Sequence, residues 1–121
     1  MKPFPFLLCL RSFLGCKAAD FRSVAAETFA QIIEDTTVVR LDVRTASEYS
    51  QGHIPGALLI DVTQADFMQK AEQLLPKDKT IALYCRSGRR SKTAAAQLAK
   101  QGYQVIELNT GFNSWKGEIE R

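Results

Sequence analysis

The sequence predicts an α/β domain built on a central, mostly parallel five-stranded sheet with helices on both of its faces. From residue 21 onward, short runs of β-branched and aliphatic residues alternate with longer stretches of helical periodicity. Two of the runs, 57–60 and 81–84, are apolar at every position, which is typical of central strands covered on both sides. Because no linker or internal repeat interrupts the alternation, residues 21–121 are predicted to form one domain.

The strands are predicted where β-branched and large aliphatic residues concentrate between turn-forming residues. The first run is short and is expected at an edge of the sheet. In chain order, the five predicted strands are 21–24, 38–43, 57–61, 80–84 and 103–108.

The helices are predicted from apolar residues that recur every three or four positions. In chain order, they lie at about 25–35, 46–51, 64–74, 91–101 and 111–119. Thr45 and Ser91 are suitable N-caps because their hydroxyl oxygens can accept hydrogen bonds from first-turn amides. Gly102 suits the left-handed position that follows a helix, so it is expected to end the fourth helix.

Composition excludes several classes of protein. Hydrophobic residues make up 45% of the chain and charged residues 24%, as in a globular domain rather than a disordered or fibrous chain. The net charge of +3 is too small to indicate nucleic-acid binding, and no nucleic-acid partner is predicted. An odd count of three cysteines argues against a disulfide scaffold. One histidine and no Cys-x-x-Cys pair argue against a metal site.

Residues 1–20 are predicted to be a leader or extension that precedes the domain. Lys2 is followed by an apolar stretch and then by Gly15 and Cys16, an order similar to that of bacterial lipoprotein signals, which are cleaved before the cysteine. The stretch is too short, and too interrupted by Arg11, to span a bilayer. We therefore favour an exported, periplasmic lipoprotein whose only membrane contact is a lipid on Cys16, and a cytoplasmic protein with an apolar extension is the alternative.

Cys85 stands at the end of a predicted central strand, five residues before an alanine-rich helix. Ligands of parallel sheets bind where strands end and lead into helices. Gly88 and its short neighbours allow the backbone to curl around the sulfur, so that N–H groups and the helix N-terminus favour an anion there. Four nearby cations add to this field: Arg86, Arg89, Arg90 and Lys92. Cys85 is therefore predicted to be a nucleophile with a lowered pKa.

A structural interpretation of the same residues is that cysteine is a small buried hydrophobe and that arginine runs are solvated. That interpretation explains a cysteine at a strand end. It does not explain a cysteine, a glycine and three arginines gathered between a strand and a helix, so we favour the functional interpretation.

Three segments of the chain resemble rhodanese domains, the sulfurtransferases. The loop 85–91, Cys-Arg-Ser-Gly-Arg-Arg-Ser, closely resembles their active-site loop, and 41–57 resembles a second motif that precedes it. The segment 109–117 is similar to the family's closing segment, except that Thr110 stands where a second glycine is usual. The resemblance covers about residues 21–117 and implies a rhodanese-like fold.

The resemblance implies that Cys85 takes the outer sulfur from thiosulfate or a related anionic donor. The resulting persulfide would pass this sulfur to cyanide, a thiol or a protein cysteine, and no cofactor is needed because the enzyme carries the sulfur covalently. The implied substrate-binding residues are those of the loop: Arg86, Ser87, Gly88, Arg89, Arg90 and Ser91. Arg86, the first side chain after the nucleophile, is the expected donor contact. The mechanism requires a sulfur that solvent reaches and that amides, not carbonyls, face.

Two other functions remain open. A rhodanese-like binding module could recognise a partner without relevant turnover, although such modules often lack the cysteine. A tyrosine-phosphatase-like enzyme or an arsenate reductase is a more remote alternative. Related phosphatases place an arginine six positions after the cysteine, whereas here Arg90 is at the fifth position and Ser91 at the sixth.

Several residues outside the loop are expected to support it. Asp42 and Arg44 end a strand that should neighbour the catalytic strand, and a structural ion pair or helix cap is the favoured role for them. Glu48 is likewise expected to be structural. Arg90 is expected to close the loop against Asp42 or Glu48. Two further residues, His53 in a glycine- and proline-rich turn and Trp115 on a terminal helix, are expected to be structural.

Overall fold

The sheet has five parallel strands, which confirms the predicted α/β class. The computed structural model describes residues 20–121, so the predicted leader with Cys16 lies outside the described residues apart from Asp20. The strands are β1 Arg22–Val24, β2 Val39–Asp42, β3 Leu58–Leu59, β4 Ile81–Tyr84 and β5 Val105–Leu108. Across the sheet their order is β1-β5-β4-β2-β3, and every pairing is parallel.

Within residues 20–121, an α-helix follows each of the first four strands, and a short 3₁₀ turn follows β5. The helices are α1 Ala26–Ile32, α2 Ala46–Gln51, α3 Phe67–Leu74 and α4 Arg89–Lys100, and the 3₁₀ turn is Phe112–Ser114. Thr45 caps α2 as predicted, since its hydroxyl accepts from Glu48 N–H while the Glu48 carboxylate accepts from Thr45 N–H. Gly102 follows α4 with a φ of +96°, which confirms its predicted place.

Helices cover both faces of the sheet, as predicted. Alternation along β4 directs Leu83 towards one face and Tyr84 towards the other. The first face packs on residues of α3 and α4: Phe67, Ala71, Ala94, Ala95 and Leu98. The second packs on Phe29 and Ile33, in and just after α1. β4 lies at the centre of the sheet and is buried at all four positions, and it delivers Cys85 to the face covered by α3 and α4.

The prediction that 57–61 is a central strand is wrong. Only Leu58 and Leu59 are paired, and they pair with β2 alone, so β3 is an edge of the sheet. Leu58 is 37% exposed. The apolar run arises because the flanking residues, Ala57 and Ile60, are buried in the cores on opposite faces of the sheet. A short apolar run therefore indicates that the segment is buried, but it does not indicate that the strand lies at the centre of the sheet.

The prediction of a terminal helix at 111–119 is also wrong, because the only helical structure in this segment is the 3₁₀ turn. Trp115 is extended, with φ −71° and ψ 130°, and its ring packs against Phe29 at 6.3 Å. Further on, Glu120 forms an isolated antiparallel bridge with His53. Core packing of the indole and this bridge hold the backbone extended, which outweighs the helical spacing of the segment.

No helix of residues 20–121 is both long and apolar enough to cross a membrane.

Candidate active site

The turn from β4 into α4 surrounds Cys85 tightly. Gly88 is the N-cap residue of α4 and has a φ of +101°, a left-handed conformation that glycine adopts without strain. A Cβ at Gly88 would lie 2.0 Å from the carbonyl oxygen of Asn109, so a side chain does not fit. The predicted N-cap at Ser91 is therefore wrong, because the tight turn starts the helix earlier and places Ser91 in its first turn.

Backbone amides face the sulfur, as predicted. The Gly88 N–H donates to Cys85 Sγ at 3.1 Å. The backbone amides of Ser87 and Ser91 and the Ser91 hydroxyl also act by hydrogen bonding to lower the pKa of the Cys85 thiol. Burial raises the pKa of the Cys85 thiol, but these hydrogen bonds outweigh it and place the pKa below its ordinary value. The predicted direction of the shift is confirmed.

Solvent access differs from the prediction. Cys85 is 0% exposed, whereas the proposed chemistry requires a sulfur that a donor can reach. The 3₁₀ turn holds the loop closed, because Phe112 N–H donates to the Cys85 carbonyl at 2.8 Å and Asn113 N–H donates to the Arg86 carbonyl at 3.0 Å. Thr110, in the position of the usual glycine, is exposed and donates to Ser114, while Gly111 keeps the left-handed φ of +70° that the close approach to Arg86 requires.

A cavity of about 220 Å³ lies beside the closed loop. It is lined by residues from α2, the loop and the 3₁₀ turn: Arg44, Glu48, Gln51, Gly52, Arg86, Phe112 and Asn113. The Arg86 side chain in its wall is 63% exposed, and it forms a 3.9 Å ion-pair contact with Glu48. Arg86 is thus an exposed cation at the rim of the site.

Arg90 closes the loop against Glu48, one of the two partners proposed for it. Its two terminal nitrogens donate to the two carboxylate oxygens of Glu48 at 2.8 and 2.9 Å. These bonds, together with those from Thr45, overcome partial burial and lower the pKa of Glu48 from 4.5 to about 2. The α2 capping box and the loop therefore share one carboxylate, which ties their positions together.

Asp42 and Arg44 form the expected structural ion pair. Both are buried, and Arg44 donates to the Asp42 carboxylate at 2.7 Å and to the Gly52 carbonyl at 2.7 Å. The guanidinium also stacks over Phe112, 4.4 Å from the ring centre. Arg44 therefore lines the cavity, and the buried Asp42 holds its guanidinium in place.

A family model described as a rhodanese-like domain matches residues 25–118. The chain belongs to the rhodanese-like family. It is 37% identical over 94 residues to a protein of Allochromatium vinosum named sulfurtransferase, and this match covers 76% of the chain and 85% of that protein. It is 34% identical over 100 residues to the thiosulfate sulfurtransferase GlpE of Pseudomonas fluorescens, covering 81% of the chain and 87% of the relative.

The fold likeness extends to solved structures. A crystal structure of reduced Bacillus anthracis CoADR-RHD superposes with a TM-score of 0.67 at 30% identity, over 76% of the chain. The chain spans only 16% of that larger protein. The matched part of the chain therefore has a rhodanese-like fold. The relatives to which it is similar in sequence are named as sulfurtransferases.

His53 and Trp115 have structural contacts in the rhodanese-like domain, as expected. The His53 ring stacks on Tyr49 with centroids 3.6 Å apart, and its Nδ1 lies 2.8 Å from the Tyr49 carbonyl. Trp115 packs on Phe29, although on an extended segment and not on the predicted helix. Within residues 20–121, no three His, Cys, Asp or Glu side chains are grouped to hold a metal ion.

Sequence reasoning missed Glu107, a fully buried carboxylate on β5. It accepts hydrogen bonds from Ser91 Oγ and from Lys92 Nζ, so it contacts the helix that follows the loop. The sequence contains a signal for the burial of Glu107. In the predicted strand, Glu107 shares one face with Val105, and the residues on either side of Glu107 are apolar. A charge on such a face indicates a buried polar partner.

Replacing Gly88 by alanine should destabilise the domain more than the same change at Gly102. Both glycines have a positive φ, so each substitution costs about 1–2 kcal/mol of backbone strain. Only Gly88→Ala also drives a Cβ into the Asn109 carbonyl, since nothing lies within 4 Å of Gly102. We expect about 1–3 kcal/mol of extra loss for Gly88→Ala in urea unfolding. Equal losses for the two variants would show that the close approach is unimportant.

Glu48→Gln should lower stability at neutral pH and lose this effect in acid. The folded pKa of Glu48 is about 2 against an ordinary 4.5, so its stabilisation is complete above pH 4.5 and disappears as the pH falls towards 2. The urea midpoints of wild type and Glu48→Gln should therefore converge across this window. Glu34→Gln, at an exposed position, is the control and should match wild type throughout. A constant gap from pH 6 to pH 2 would contradict the ion-pair account.

Proposed function

We propose that this protein is a sulfurtransferase that carries a sulfane sulfur on Cys85. The donor is thiosulfate or a related small anion, and the acceptor is cyanide, a thiol or a protein cysteine. The observation that carries the proposal is the ring of amide donors around Cys85 Sγ, with the Gly88 N–H at 3.1 Å. Such a ring stabilises a sulfur anion, and both the free thiolate and a persulfide are sulfur anions.

In the first half-reaction, the Cys85 thiolate attacks the outer sulfur of thiosulfate. A new S–S bond forms, the S–S bond of thiosulfate breaks, and sulfite leaves with the electron pair of that bond. The negative charge then resides on the outer sulfur of the Cys85 persulfide. In the second half-reaction, the acceptor attacks this outer sulfur and Cys85 leaves as the thiolate, so the cycle is ping-pong and needs no cofactor.

The donor must open the loop to reach Cys85, because the residue is buried. We place its entrance at the cavity that borders Arg86, whose exposed side chain can move without disturbing the core. Because Arg44 is paired with Asp42 and Glu48 with Arg90, Arg86 gives this entrance a net positive charge. A dianionic donor fits that charge, and the Arg86 guanidinium can follow it to the sulfur.

Two observations favour the enzyme over its alternatives. A binding module needs no nucleophile, yet this chain keeps the thiol and lowers its pKa by hydrogen bonds that outweigh burial. A phosphate-transferring loop needs an arginine free to bind the oxygens of the group, whereas both terminal nitrogens of Arg90 are bound to Glu48. The names of the Allochromatium and Pseudomonas relatives support sulfur transfer and, for the second, thiosulfate as donor.

Incubation with thiosulfate should add one sulfur atom to the protein, visible as a mass increase by intact-mass spectrometry. Cyanide should remove the added sulfur, because it attacks the outer sulfur of the persulfide. Cys85→Ser should gain no sulfur, while a Cys9→Ser/Cys16→Ser double variant should load as wild type does. A wild-type protein that never gains the sulfur would refute the transferase and favour the binding module.

Arg86→Ala should lower kcat/KM for thiosulfate by about tenfold or more, because a charge-assisted hydrogen bond to the donor is lost. Arg22→Ala is the matched control. It removes the same charge from an exposed position on β1, outside the loop, so its effect should stay well below that of Arg86→Ala. Equal losses for the two variants would mean that the protein attracts the donor by its overall charge and not through Arg86.

A further inference from the structure

Glu107 lies on the same face of the sheet as Cys85, although the catalytic steps above do not use it. In the β4–β5 register, Leu83 is the partner of Glu107. Side chains two residues apart on a strand share a face, so Leu83 and Cys85 point the same way as Glu107. Glu107 is 0% exposed, which is unusual for a carboxylate and requires local compensation.

The compensation comes from three donors on two elements. On β1, Ser23 is the register partner of Glu107 and its hydroxyl donates to Oε1 at 2.5 Å. On α4, the Ser91 hydroxyl donates to Oε2 at 2.5 Å and Lys92 Nζ lies 3.2 Å from the same oxygen. One cation and two hydroxyl donors therefore satisfy both oxygens of the buried carboxylate.

The Ser91 hydroxyl interacts with both Glu107 and Cys85. It donates to Glu107 at 2.5 Å, and its interaction with Cys85 lowers the pKa of the thiol. A hydroxyl carries one proton, so it donates to only one acceptor at a time. When Cys85 is a thiol, its S–H can donate to the Ser91 oxygen while Ser91 donates to Glu107. When Cys85 is a thiolate, the sulfur and the carboxylate compete for the same proton.

We propose that Glu107 is a positioning residue which withholds the Ser91 proton from Cys85 and so keeps the thiolate more reactive than the amide ring alone would leave it. The carboxylate also contributes a negative charge on the same face. The other charged groups facing this network are Lys92, which contacts Glu107, and Arg90, whose charge interacts with Cys85 while it is paired with Glu48. Glu107 therefore opposes the cations and the amides that stabilise the sulfur anion.

This role would favour sulfur loading. A thiolate that is less stabilised is a stronger nucleophile, and its nucleophilicity falls as its pKa falls. Once the persulfide forms, the inner sulfur is neutral and no longer competes for the Ser91 proton. The inference deepens the proposed function by naming a residue that adjusts its nucleophile, and the thiolate titration below tests it without requiring sulfur transfer.

The test is a titration of thiolate ultraviolet absorbance in a Cys9→Ser/Cys16→Ser background, where Cys85 is the only thiol. Glu107→Gln should move the titration midpoint to lower pH. It removes the negative charge, and its amide can donate to the Ser91 oxygen, which frees the hydroxyl proton for the sulfur. For each pH unit of this shift, the plateau rate constant for loading from thiosulfate should fall about threefold.

Ser91→Ala completes the test as a double-mutant cycle. Because Glu107 competes for the Ser91 proton in the wild type, Ser91→Ala should raise the midpoint less in the wild-type background than in the Glu107→Gln background. Ser23→Ala is the control, since Ser23 binds the other oxygen of Glu107 and should leave the midpoint nearly unchanged.

Three results would overturn the proposal. The first is an unchanged or higher midpoint in Glu107→Gln, and the second is an equal effect of Ser91→Ala in both backgrounds. The third applies if Glu107→Gln does not fold. In that case, a large upward shift of the titration midpoint in Ser91→Ala alone would show that Ser91 already donates its proton to the sulfur in the wild type. Failure of thiosulfate loading with the expected titrations would instead count against the proposed function and leave the role of Glu107 intact.

Discussion

The left-handed turn at Gly88 is the constraint on which the site depends. It joins a central strand to a helix within three residues of Cys85, and so it brings consecutive amides onto one sulfur. Burial alone would make an anionic sulfur unfavourable, and only donors already fixed in place compensate for it. The Asn109 carbonyl leaves no room for a side chain at this turn, which couples the end of β5 to the shape of the loop.

Two carboxylates brace the loop from opposite sides, and they do so differently. Glu48 is partly exposed and binds Arg90 through two parallel hydrogen bonds, so it fixes geometry while the charges remain near water. Glu107 is fully enclosed and is balanced by one lysine and two hydroxyls. An enclosed carboxylate acts strongly on its neighbours because little water screens it, and this neighbour is the hydroxyl that also serves the sulfur.

Much of the site could be anticipated because it is local in the chain. A cysteine at a strand end, a glycine three residues later and a helix beyond them determine most of the loop, and Thr45 with Glu48 is a local capping pattern. One error was local: Ser91 resembles an N-cap, but the Gly88 turn three residues earlier moves the helix start. The error at 111–119 arose where distant parts of the chain decide, because its spacing is helical but the packing of Trp115 and the bridge to Glu120 hold it extended.

The sequence by itself determined the alternating α/β fold, the strand that carries Cys85 and the cations around it, since periodicity and short motifs encode them directly. Tertiary structure alone decided which strand is an edge, that Arg90 pairs with Glu48 rather than Asp42, and that the closed loop buries the sulfur. It also decided that Glu107 approaches Ser91. These features depend on contacts between residues 16 to 42 positions apart, and pairing over such separations follows from packing in space, which no local pattern records.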